Sequence, residues 1–276
     1  MNIVLLGAHG QLGSEIAGAR YALNARILPF TRSVLDITDF PKMQKTLLKE
    51  APDMVINSAA YTRVDDAETE KEHAFLVNAT AVGELAKLCG DMDIPLVHFS
   101  TDYVFGGEQD RKTPYTETDQ PSPINRYGES KLKGEELIAE NCKKYFIIRT
   151  SGLYGRNGQN FVKTMIARAK TQGHTKVVDD QITVPTWTHD ILDALPDILA
   201  SREYGIYHVT PNGHTSWFEF AKKIFETANP AHLCIPCASR DYPLPAKRPF
   251  YSVLKSAKIS PRRSWEESQS AFLQSL

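Results

Sequence analysis

Tyr127 and Lys131 stand four residues apart and form the clearest catalytic pattern in the sequence. Residues 127–141 predict a helix, so the two side chains lie on one face about one turn apart. A free phenol, with a pKa of ~10, is a poor acid–base catalyst at neutral pH. A neighbouring ammonium stabilises the phenolate and lowers that pKa. The pair therefore predicts a tyrosine proton donor, although Tyr-x-x-x-Lys also occurs in helices by chance.

Ser100 and Thr101 place hydroxyl groups directly after a predicted buried strand at 95–99. Ligands of open α/β sheets bind at the carboxyl ends of the strands. We therefore expect Thr101 to hold a substrate oxygen beside Tyr127. The alternative is that its hydroxyl only caps the end of the strand.

Three evenly spaced glycines, Gly7, Gly10 and Gly13, connect a predicted strand at 3–6 to a predicted helix at 12–23. A turn without side chains lets the backbone approach a pyrophosphate, and free N–H groups at a helix N-terminus bind its charge. The loop predicts a dinucleotide site, with incidental glycines at a helix start as the alternative.

The second predicted strand, at 26–30, is followed by Arg32 and lacks the carboxylate that is typical of NAD sites. A guanidinium suits the 2′-phosphate of NADP. The expected cofactor is therefore NADPH, with NADH as the alternative. Asp36 could instead reach the ribose or adenine, and Arg32 could be a solvated surface charge.

Strands and helices alternate along residues 1–150. Besides the elements above, this part predicts helices at 39–50 and 71–91 and strands at 54–56 and 145–148. Strand–helix–strand repeats of this length need crossovers, which place helices on both faces of a parallel sheet. The expected fold class is α/β, a doubly wound parallel sheet of the Rossmann type.

Residues 151–276 predict less regular elements, which we interpret as mainly a smaller C-terminal substrate-binding lobe. Residues 1–150 would form the NADP-binding domain, with a strand and a helix near 185–210 returning to it. The elements predicted in the second part are helices at 161–171, 190–200 and 217–228, a valine-rich segment at 176–178 and a strand at 205–209.

Composition argues against several classes of protein. The 32 Lys and Arg residues against 33 Asp and Glu give a formal charge of −1, which disfavours a nucleic-acid binder. Apolar stretches fall short of the ~20 residues of a membrane span, and no signal-peptide pattern is present. The expected location is the cytoplasm, without a membrane partner.

Four cysteines in 276 residues are too few for a disulfide framework. Cys234 and Cys237 have CxxC spacing, but no second pair completes a zinc site. All four are expected to be ordinary buried or half-buried thiols.

Several further motifs occur in order along nearly the whole chain. Together with the glycine loop and the Tyr127–Lys131 pair, they are residues 57–62, 77–79, 100–105, 149–151, 160–165, 180–181, 185–186 and 247–249. In this combination the chain resembles the extended short-chain dehydrogenase/reductase family, and within it the branch of dTDP-4-dehydrorhamnose reductases.

The resemblance implies NADPH-dependent reduction of the C4 ketone of dTDP-4-dehydro-L-rhamnose to dTDP-L-rhamnose. Tyr127 would protonate the developing alkoxide, and Thr101 would orient the carbonyl. Lys131 would lower the pKa of Tyr127 and hold the nicotinamide ribose.

The resemblance also implies binding residues. Cofactor contacts besides Tyr127 and Lys131 would be Gly7, Gly10, Gln11, Leu12, Gly13, Arg32, Asp36, Ile37, Ala59, Ala60, Tyr61 and Asn78. Contacts to the sugar or nucleotide besides Thr101 would be Thr62, Val64, Tyr103, Asn160, Gln181 and Arg248, the last being equally compatible with a plain surface residue.

The chain departs from the family pattern at Gly152, at His189 and at the C-terminus. Gly152 stands where the family usually has tryptophan, which would remove an aromatic wall beside the sugar. Glu15 matches one glutamate of the metal-linked dimers of some members, but His189 stands in place of another and the C-terminus lacks the third. We therefore expect no bound metal and a monomer, with a weak dimer as the alternative.

Two other functions stay open at this point. A different short-chain reductase or epimerase acting on another nucleotide sugar would share the motifs, but an epimerase retains NAD through turnover, whereas Arg32 favours an exchanging NADP. A non-catalytic NADP-binding regulatory subunit of the same fold needs neither Tyr127 nor Lys131, and both are present.

Overall fold

The chain is built around a six-stranded parallel sheet in the computed structural model, which describes residues 1–19 and 23–276. The strands of the described residues are β1 (Asn2–Leu6), β2 (Arg26–Phe30), β3 (Met54–Asn57), β4 (Leu96–Thr101), β5 (Tyr145–Thr150), β6 (Leu153–Tyr154), β7 (His174–Val178), β8 (Ile182–Thr183), β9 (Thr186–Trp187), β10 (Gly205–His208), β11 (Thr215–Ser216) and β12 (Leu233–Cys237).

Helices connect these strands and cover the sheet. The α-helices of the described residues are α1 (Gln11–Gly18), α2 (Phe40–Glu50), α3 (Lys71–Phe75), α4 (Ala81–Asp91), α5 (Arg126–Asn141), α6 (Phe161–Thr171), α7 (Thr188–Ser201), α8 (Trp217–Ala228) and α9 (Trp265–Gln274). None of the helices in the described part of the chain could cross a bilayer.

The order of the main sheet is β10-β5-β4-β3-β1-β2, and every neighbouring pair is parallel. The chain passes from β1 to β2 on one side and then returns across β1 to β3 on the other. Such a reversal leaves a crevice at the carboxyl ends of the strands, where ligands of this class of sheet bind. The predicted doubly wound α/β fold is confirmed.

Apolar side chains fill both faces of the sheet. On one face Ile16 of α1 and Leu195 of α7 pack against residues such as Ile56. On the other face Leu47 of α2 and Leu85 of α4 pack with side chains of the same strands. This double cover explains why the strands read as continuous apolar runs.

A second apolar core lies in the C-terminal half. It joins α6, α8 and α9 through residues such as Met165, Phe220 and Phe272. The short strand pairs β6–β9, β7–β12 and β8–β11 belong to this half. By contrast β10 pairs with β5 in the main sheet. The exact division into domains at residue 150 stays a prediction.

Several predicted elements differ in the structure. Helix α1 ends at Gly18, where a poor helix former stands, and not at Leu23; residues 20–22 of that prediction lie outside the described residues. The helix predicted at 71–91 contains a π-helical turn, Leu76–Thr80, between α3 and α4.

Helix α9 and strand β12 are among the elements of the C-terminal half that were not predicted. Helix α9 begins with a capping box in which Ser264 and Glu267 bond each other's backbone N–H groups, a signal that the sequence does contain. The CxxC segment forms strand β12, with half-buried thiols at Cys234 and Cys237.

Helix α5 lies unusually close to its neighbours because glycines face them. A Cβ built on Gly134 would lie 2.1 Å from the carbonyl oxygen of Asn78, in the π-helical turn. At Gly128 it would lie 2.1 Å from the carbonyl oxygen of Tyr103. No side chain fits at either position unless the helix moves.

Replacing Gly134 with alanine should therefore lower the free energy of unfolding by about 1–3 kcal/mol, the usual cost of overpacking. Chemical denaturation measures the change. The matched control is Gly173→Ala, because a Cβ there meets no described atom within 4 Å. Equal stabilities of the two variants would show that α5 does not depend on this close approach.

Candidate active site

The carboxyl ends of the main strands border a cavity of about 520 Å³. The predicted site residues that line it are Gly10, Gln11, Leu12, Ala60, Thr62, Val64, Thr101, Tyr103, Tyr127, Lys131 and Gln181. The structure thus brings residues predicted for the cofactor, the chemistry and the substrate into one space.

The glycine loop exposes backbone because side chains do not fit there. Gly7 has a φ of 75°, and a Cβ on it would lie 2.5 Å from the amide nitrogen of Ala59. A Cβ on Gly13 would lie 2.2 Å from the carbonyl oxygen of Gly7. Helix α1 begins at Gln11, and its N-cap, Gly10, offers no side-chain hydrogen bond to the first turn. The loop therefore fits a pyrophosphate on the N–H groups of α1.

A smaller cavity of about 210 Å³ lies on the other side of this loop. Predicted cofactor residues line it, namely Gly7, Gly10, Arg32, Asp36, Ile37, Ala59, Ala60 and Tyr61.

Arg32 and Asp36 form an ion pair at the smaller cavity. Arg32 Nε lies 2.9 Å from Asp36 Oδ2, and the Arg32 side chain is 76% exposed. Asp36 Oδ1 accepts hydrogen bonds from the backbone N–H and the hydroxyl of Thr38. Because both carboxylate oxygens have partners while the guanidinium is held at the cavity rim, the geometry favours phosphate recognition by Arg32 over ribose recognition by Asp36.

Tyr127 lies in the first turn of α5, which Asn125 caps by accepting the N–H of Gly128 at 2.8 Å. Its side chain and that of Thr101 line the same cavity. Burial raises the pKa of Tyr127 to about 12, and the Thr101 hydroxyl opposes this rise. The phenol is therefore protonated at neutral pH, as a proton donor must be.

Lys131 is bonded to strand β4. Its Nζ donates to the carbonyl oxygen of Phe99 at 2.7 Å and lies 3.0 Å from His98 Nε2. Burial lowers the pKa of Lys131 to about 8, against the opposing charge of Glu135. In this structure the Lys131 ammonium is engaged on β4, and burial raises the pKa of Tyr127. The role of Lys131 in lowering that pKa stays a prediction.

His98 and Asn57 form a buried hydrogen-bond chain that ends at Lys131. Asn57 Oδ1 accepts the N–H of Ala59, so Asn57 Nδ2 faces His98 Nδ1 at 3.1 Å. Burial and the charge of Lys131 hold the pKa of His98 well below its ordinary value, so the ring is neutral. With Nδ1 accepting, the ring hydrogen lies on Nε2 and points at Lys131. This arrangement disfavours the charged form of Lys131.

His98 and Asn57 were not predicted as site residues. The signal was available, since His98 is a polar residue inside an otherwise apolar buried strand, and Asn57 ends the neighbouring one. Buried polar groups in such positions need hydrogen-bond partners.

A buried ion pair joins α5 to the sheet behind the site. Arg149 Nη2 lies 2.6 Å from Glu135 Oε2, and both side chains are at most 4% exposed. Ser100 donates to Glu135 Oε1 at 2.5 Å. These bonds connect β5 with α5, which carries Tyr127, and with β4, which carries Thr101.

Two predicted binding residues support the site from behind. Asn78 bonds the backbone N–H and carbonyl oxygen of Tyr61 through its amide and also donates to Ser130. Asn160 caps α6 and donates to Gln11 Oε1 at 3.0 Å. Neither lines the cavities described here, so their direct contact with a ligand stays a prediction.

Gln181 and Arg248 lie beyond the catalytic groups. Arg248 binds Asp65 with two hydrogen bonds and lines two further cavities of about 590 and 320 Å³. Gln181 lines these two and the 520 Å³ cavity as well. A ligand longer than a sugar could therefore extend from Tyr127 past Gln181 toward Arg248.

An aromatic wall is present beside Gly152. This glycine has a φ of 51°, and a Cβ on it would lie 3.4 Å from Trp217 Cη2. The Trp217 ring packs on Phe161 with ring centres 4.6 Å apart, and both residues line the cavity. The wall that Gly152 was predicted to remove is therefore supplied by another element.

The polar side chains in the cavity that were not predicted as site residues include Asp102, Thr150, Thr183 and Ser252. Within the described part of the chain, the hydroxyls of Thr150 and Thr183 are buried without a hydrogen-bond partner. Hydroxyls placed in this way suit a ligand with many hydroxyl groups.

The positions related to metal-linked dimers form a different contact. His189 Nε2 lies 3.6 Å from Glu15 Oε2, and the His189 ring stacks on Trp187. Over residues 1–19 and 23–276, no group of three or more His, Cys, Asp or Glu side chains is arranged to hold a metal ion.

Comparison with known proteins identifies the family. Residues 1–276 match the family described as "RmlD substrate binding domain". The chain belongs to this family. A dTDP-4-dehydrorhamnose reductase of Mycolicibacterium smegmatis is 41% identical over 274 residues, covering 96% of this chain and 83% of the relative. A dTDP-4-keto-6-deoxy-D-glucose reductase of Streptomyces niveus is 36% identical over 270 residues, covering 95% and 93%.

Solved structures agree with this membership. The crystal structure of a dTDP-4-dehydrorhamnose reductase from Bacillus anthracis, described as a complex with NADP, matches with a TM-score of 0.95 and 38% identity, covering 100% of this chain and 99% of that chain. The resemblance stated from the motifs is confirmed.

The buried pair behind the site yields a stability prediction. Glu135→Gln should lower the free energy of unfolding by about 3–5 kcal/mol, because it leaves the Arg149 guanidinium buried without a countercharge. The matched control is Glu136→Gln on the same helix, which breaks an exposed pair with Lys133 and should cost less than about 1 kcal/mol.

Urea denaturation of both variants and the parent chain measures these differences. A Glu135→Gln variant as stable as Glu136→Gln would mean that the buried pair does not hold α5 to the sheet.

Proposed function

We propose that the chain reduces the C4 ketone of dTDP-4-dehydro-L-rhamnose with NADPH and forms dTDP-L-rhamnose. The observation that carries this proposal is that Tyr127, Thr101 and Lys131 line the same cavity as the glycine loop. The 41% identical relative is named dTDP-4-dehydrorhamnose reductase, which supports the choice of substrate.

The cofactor fits the two cavities on either side of the glycine loop. The N–H groups at the start of α1 would hold the pyrophosphate, and Arg32 would hold the 2′-phosphate. Bound NADPH supplies the hydride. Lys131, already at the cavity wall, would donate to the hydroxyls of the nicotinamide ribose.

The chemistry required of the protein is the delivery of one proton. As the C4 oxygen of the sugar gains negative charge, Tyr127 Oη donates its proton to that oxygen. The Thr101 hydroxyl, which lines the same cavity, would hold the reacting oxygen in line. A phenol with a pKa of about 12 gives up its proton only to a strong base such as an alkoxide. Tyr127 would therefore lose its proton only when the alkoxide forms.

The substrate would extend through the connected cavities. Thr62, Val64 and Tyr103 line the space around the sugar, and Trp217 supplies its apolar wall. Gln181 and Arg248 would bind the diphosphate and nucleoside end, where a guanidinium matches phosphate charge. Asn160 would contribute indirectly, by holding the side chain of Gln11 at the cavity through a hydrogen bond.

A second candidate is the reduction of a differently configured 4-ketosugar. The relative from Streptomyces niveus, named for a dTDP-4-keto-6-deoxy-D-glucose substrate, favours it. NADPH oxidation with a panel of nucleotide-linked 4-ketosugars, followed by identification of the products, separates the two candidates. We expect dTDP-4-dehydro-L-rhamnose to give the highest kcat/KM.

The monomeric state and the cytoplasmic location stay predictions. Sedimentation analysis of the purified chain would test the first, with a weak dimer as the alternative outcome.

Replacing Tyr127 with phenylalanine should lower kcat by about 10² or more, because the proton donor is lost while the cofactor loop is intact. NADPH binding, measured by fluorescence titration, should change little. The matched control is Tyr115→Phe, which also removes one buried tyrosine hydroxyl but lies outside the cavity and, in the described residues, leaves no hydrogen bond broken. A parallel loss of NADPH affinity in Tyr127→Phe would contradict the assigned role.

Replacing Arg32 with alanine should weaken NADPH binding by about tenfold or more and leave NADH binding nearly unchanged, because only NADPH carries the 2′-phosphate. Arg26→Ala, which removes another exposed arginine from β2, is the control. Equal effects on the two cofactors would remove the case for phosphate recognition by Arg32.

A further inference from the structure

Asn57, His98 and Lys131 form a chain of buried polar groups between the two cavities that flank the glycine loop. The chain begins at the backbone N–H of Ala59, a residue that lines the smaller cavity. It ends at Lys131, which lines the larger one. The three side chains are at most 1% exposed. With so little access to water, the neighbouring groups decide where each hydrogen lies.

A backbone N–H fixes the direction of the hydrogens along this chain. The N–H of Ala59 can only donate, so the side-chain oxygen of Asn57 faces it at 3.1 Å. The amide nitrogen of Asn57 then donates to His98 Nδ1, also at 3.1 Å. Because the neutral imidazole has a single hydrogen, that hydrogen lies on Nε2. The chain thus selects one of the two tautomers of His98.

The selected tautomer presents a donor, and not an acceptor, to Lys131. His98 Nε2 lies 3.0 Å from Lys131 Nζ, and the carbonyl oxygen of Phe99 lies 2.7 Å from the same nitrogen. An ammonium has three hydrogens. One of them goes to Phe99, and the N–H of His98 can accept neither of the other two. Both therefore stay available to the cavity, which Tyr127 also lines.

We propose that His98 and Asn57 are positioning residues, which keep the N–H groups of Lys131 directed into the catalytic cavity by holding His98 in its Nε2–H tautomer. In the other tautomer, Nε2 would accept a hydrogen bond from the ammonium and engage it further on β4. Lys131 would then have one donor fewer for the nicotinamide ribose and for Tyr127. The catalytic part of this inference rests on the proposed function, whereas the tautomer does not.

The charged and titratable groups around Lys131 belong to three elements. They are His98 on β4, Tyr127 and Glu135 on α5, and Arg149 on β5, which is paired with Glu135. Burial lowers the pKa of Lys131 to about 8, against the charge of Glu135. A donor at His98 acts in the same direction as burial, because it turns a hydrogen toward the ammonium. The ammonium is therefore present at neutral pH and is lost as the pH rises through about 8.

Heteronuclear NMR of nitrogen-labelled histidine side chains, assigned through the backbone, tests the tautomer in the parent chain. His98 should carry its hydrogen on Nε2. His208 is the matched internal control, since it is also buried and neutral but its Nδ1 faces the carbonyl oxygens of Tyr115 and Lys255 at 3.1 and 3.2 Å. Its hydrogen therefore lies on Nδ1. A parent chain in which His98 shows the tautomer of His208 would overturn the proposal.

Replacing Asn57 with aspartate should reverse the chain with almost no change in side-chain size. Both carboxylate oxygens accept, so one keeps the N–H of Ala59 and the other requires a hydrogen on His98 Nδ1. The His98 signal should therefore change to the tautomer of His208. The matched control is Asn229→Asp, which adds the same charge at the end of α8 and should leave the His98 signal unchanged.

Steady-state kinetics tests the effect on Lys131. In the parent chain kcat should fall as the pH rises through about 8, because the ammonium loses its proton. Asn57→Asp should lower kcat by about tenfold, since His98 now takes one N–H of Lys131. It should also move the fall to higher pH by about one unit, because the ammonium gains an acceptor and a nearby negative charge. Asn229→Asp should keep the parent profile, and mere damage to the fold would lower kcat without moving the fall.

Two results with Asn57→Asp would contradict the positioning role. One is a His98 signal that keeps the parent tautomer. The other is a changed tautomer with an unmoved pH profile, because Lys131 would then not respond to His98. If this variant does not fold, the parent spectrum still decides the tautomer. Absence of NADPH oxidation by the parent chain would instead refute the proposed function, while the histidine spectrum would stand by itself.

Discussion

The site depends on how closely helix α5 approaches the carboxyl end of β4. Gly128 and Gly134 permit this approach, since a side chain on either would collide with backbone oxygens of Tyr103 and Asn78. The Glu135–Arg149 pair and the Lys131 bond to Phe99 then fix the helix in place. Hydrophobic packing alone would allow the helix to slide, whereas buried hydrogen bonds have one geometry.

The same close approach excludes water from the titratable groups of the site. His98 is neutral, the pKa of Lys131 is lowered, and the pKa values of Asp102 and Tyr127 are raised. Burial is the first cause of all four shifts, and each shift favours the uncharged form. At neutral pH Lys131 still carries its charge, since its pKa is about 8, whereas Tyr127 and His98 are neutral. Few charged groups then compete with the charge that appears briefly on the alkoxide. Stability and catalysis therefore rest on one set of contacts.

The sequence predicted the fold well because its signals are local. Continuous apolar runs marked the buried strands, and the glycine loop marked the first strand-to-helix turn. The motif at Tyr127 and Lys131 also located the cavity, because α/β sheets bind ligands at one edge. Helix α9 was not predicted, although its capping box is visible in the sequence, because we recognised no periodic apolar pattern in this segment.

The sequence did not predict the contacts between distant segments. Asp102 and Ser252 are 150 residues apart and share a hydrogen bond. Trp217 closes the wall at Gly152 from another helix. The direction in which the Lys131 ammonium points depends on His98, a partner that helical spacing does not reveal. Such pairings follow from the assembled sheet and not from any local pattern.

Direct hydride transfer to C4 of the sugar is the central claim, and isotope labelling tests it most directly. The chain is incubated with dTDP-4-dehydro-L-rhamnose and NADPH that carries deuterium at one or the other C4 position of the nicotinamide. We expect one of the two labelled cofactors to give dTDP-L-rhamnose with a single deuterium at C4 of the sugar. Unlabelled product from both cofactors, or deuterium at any other carbon, would contradict it.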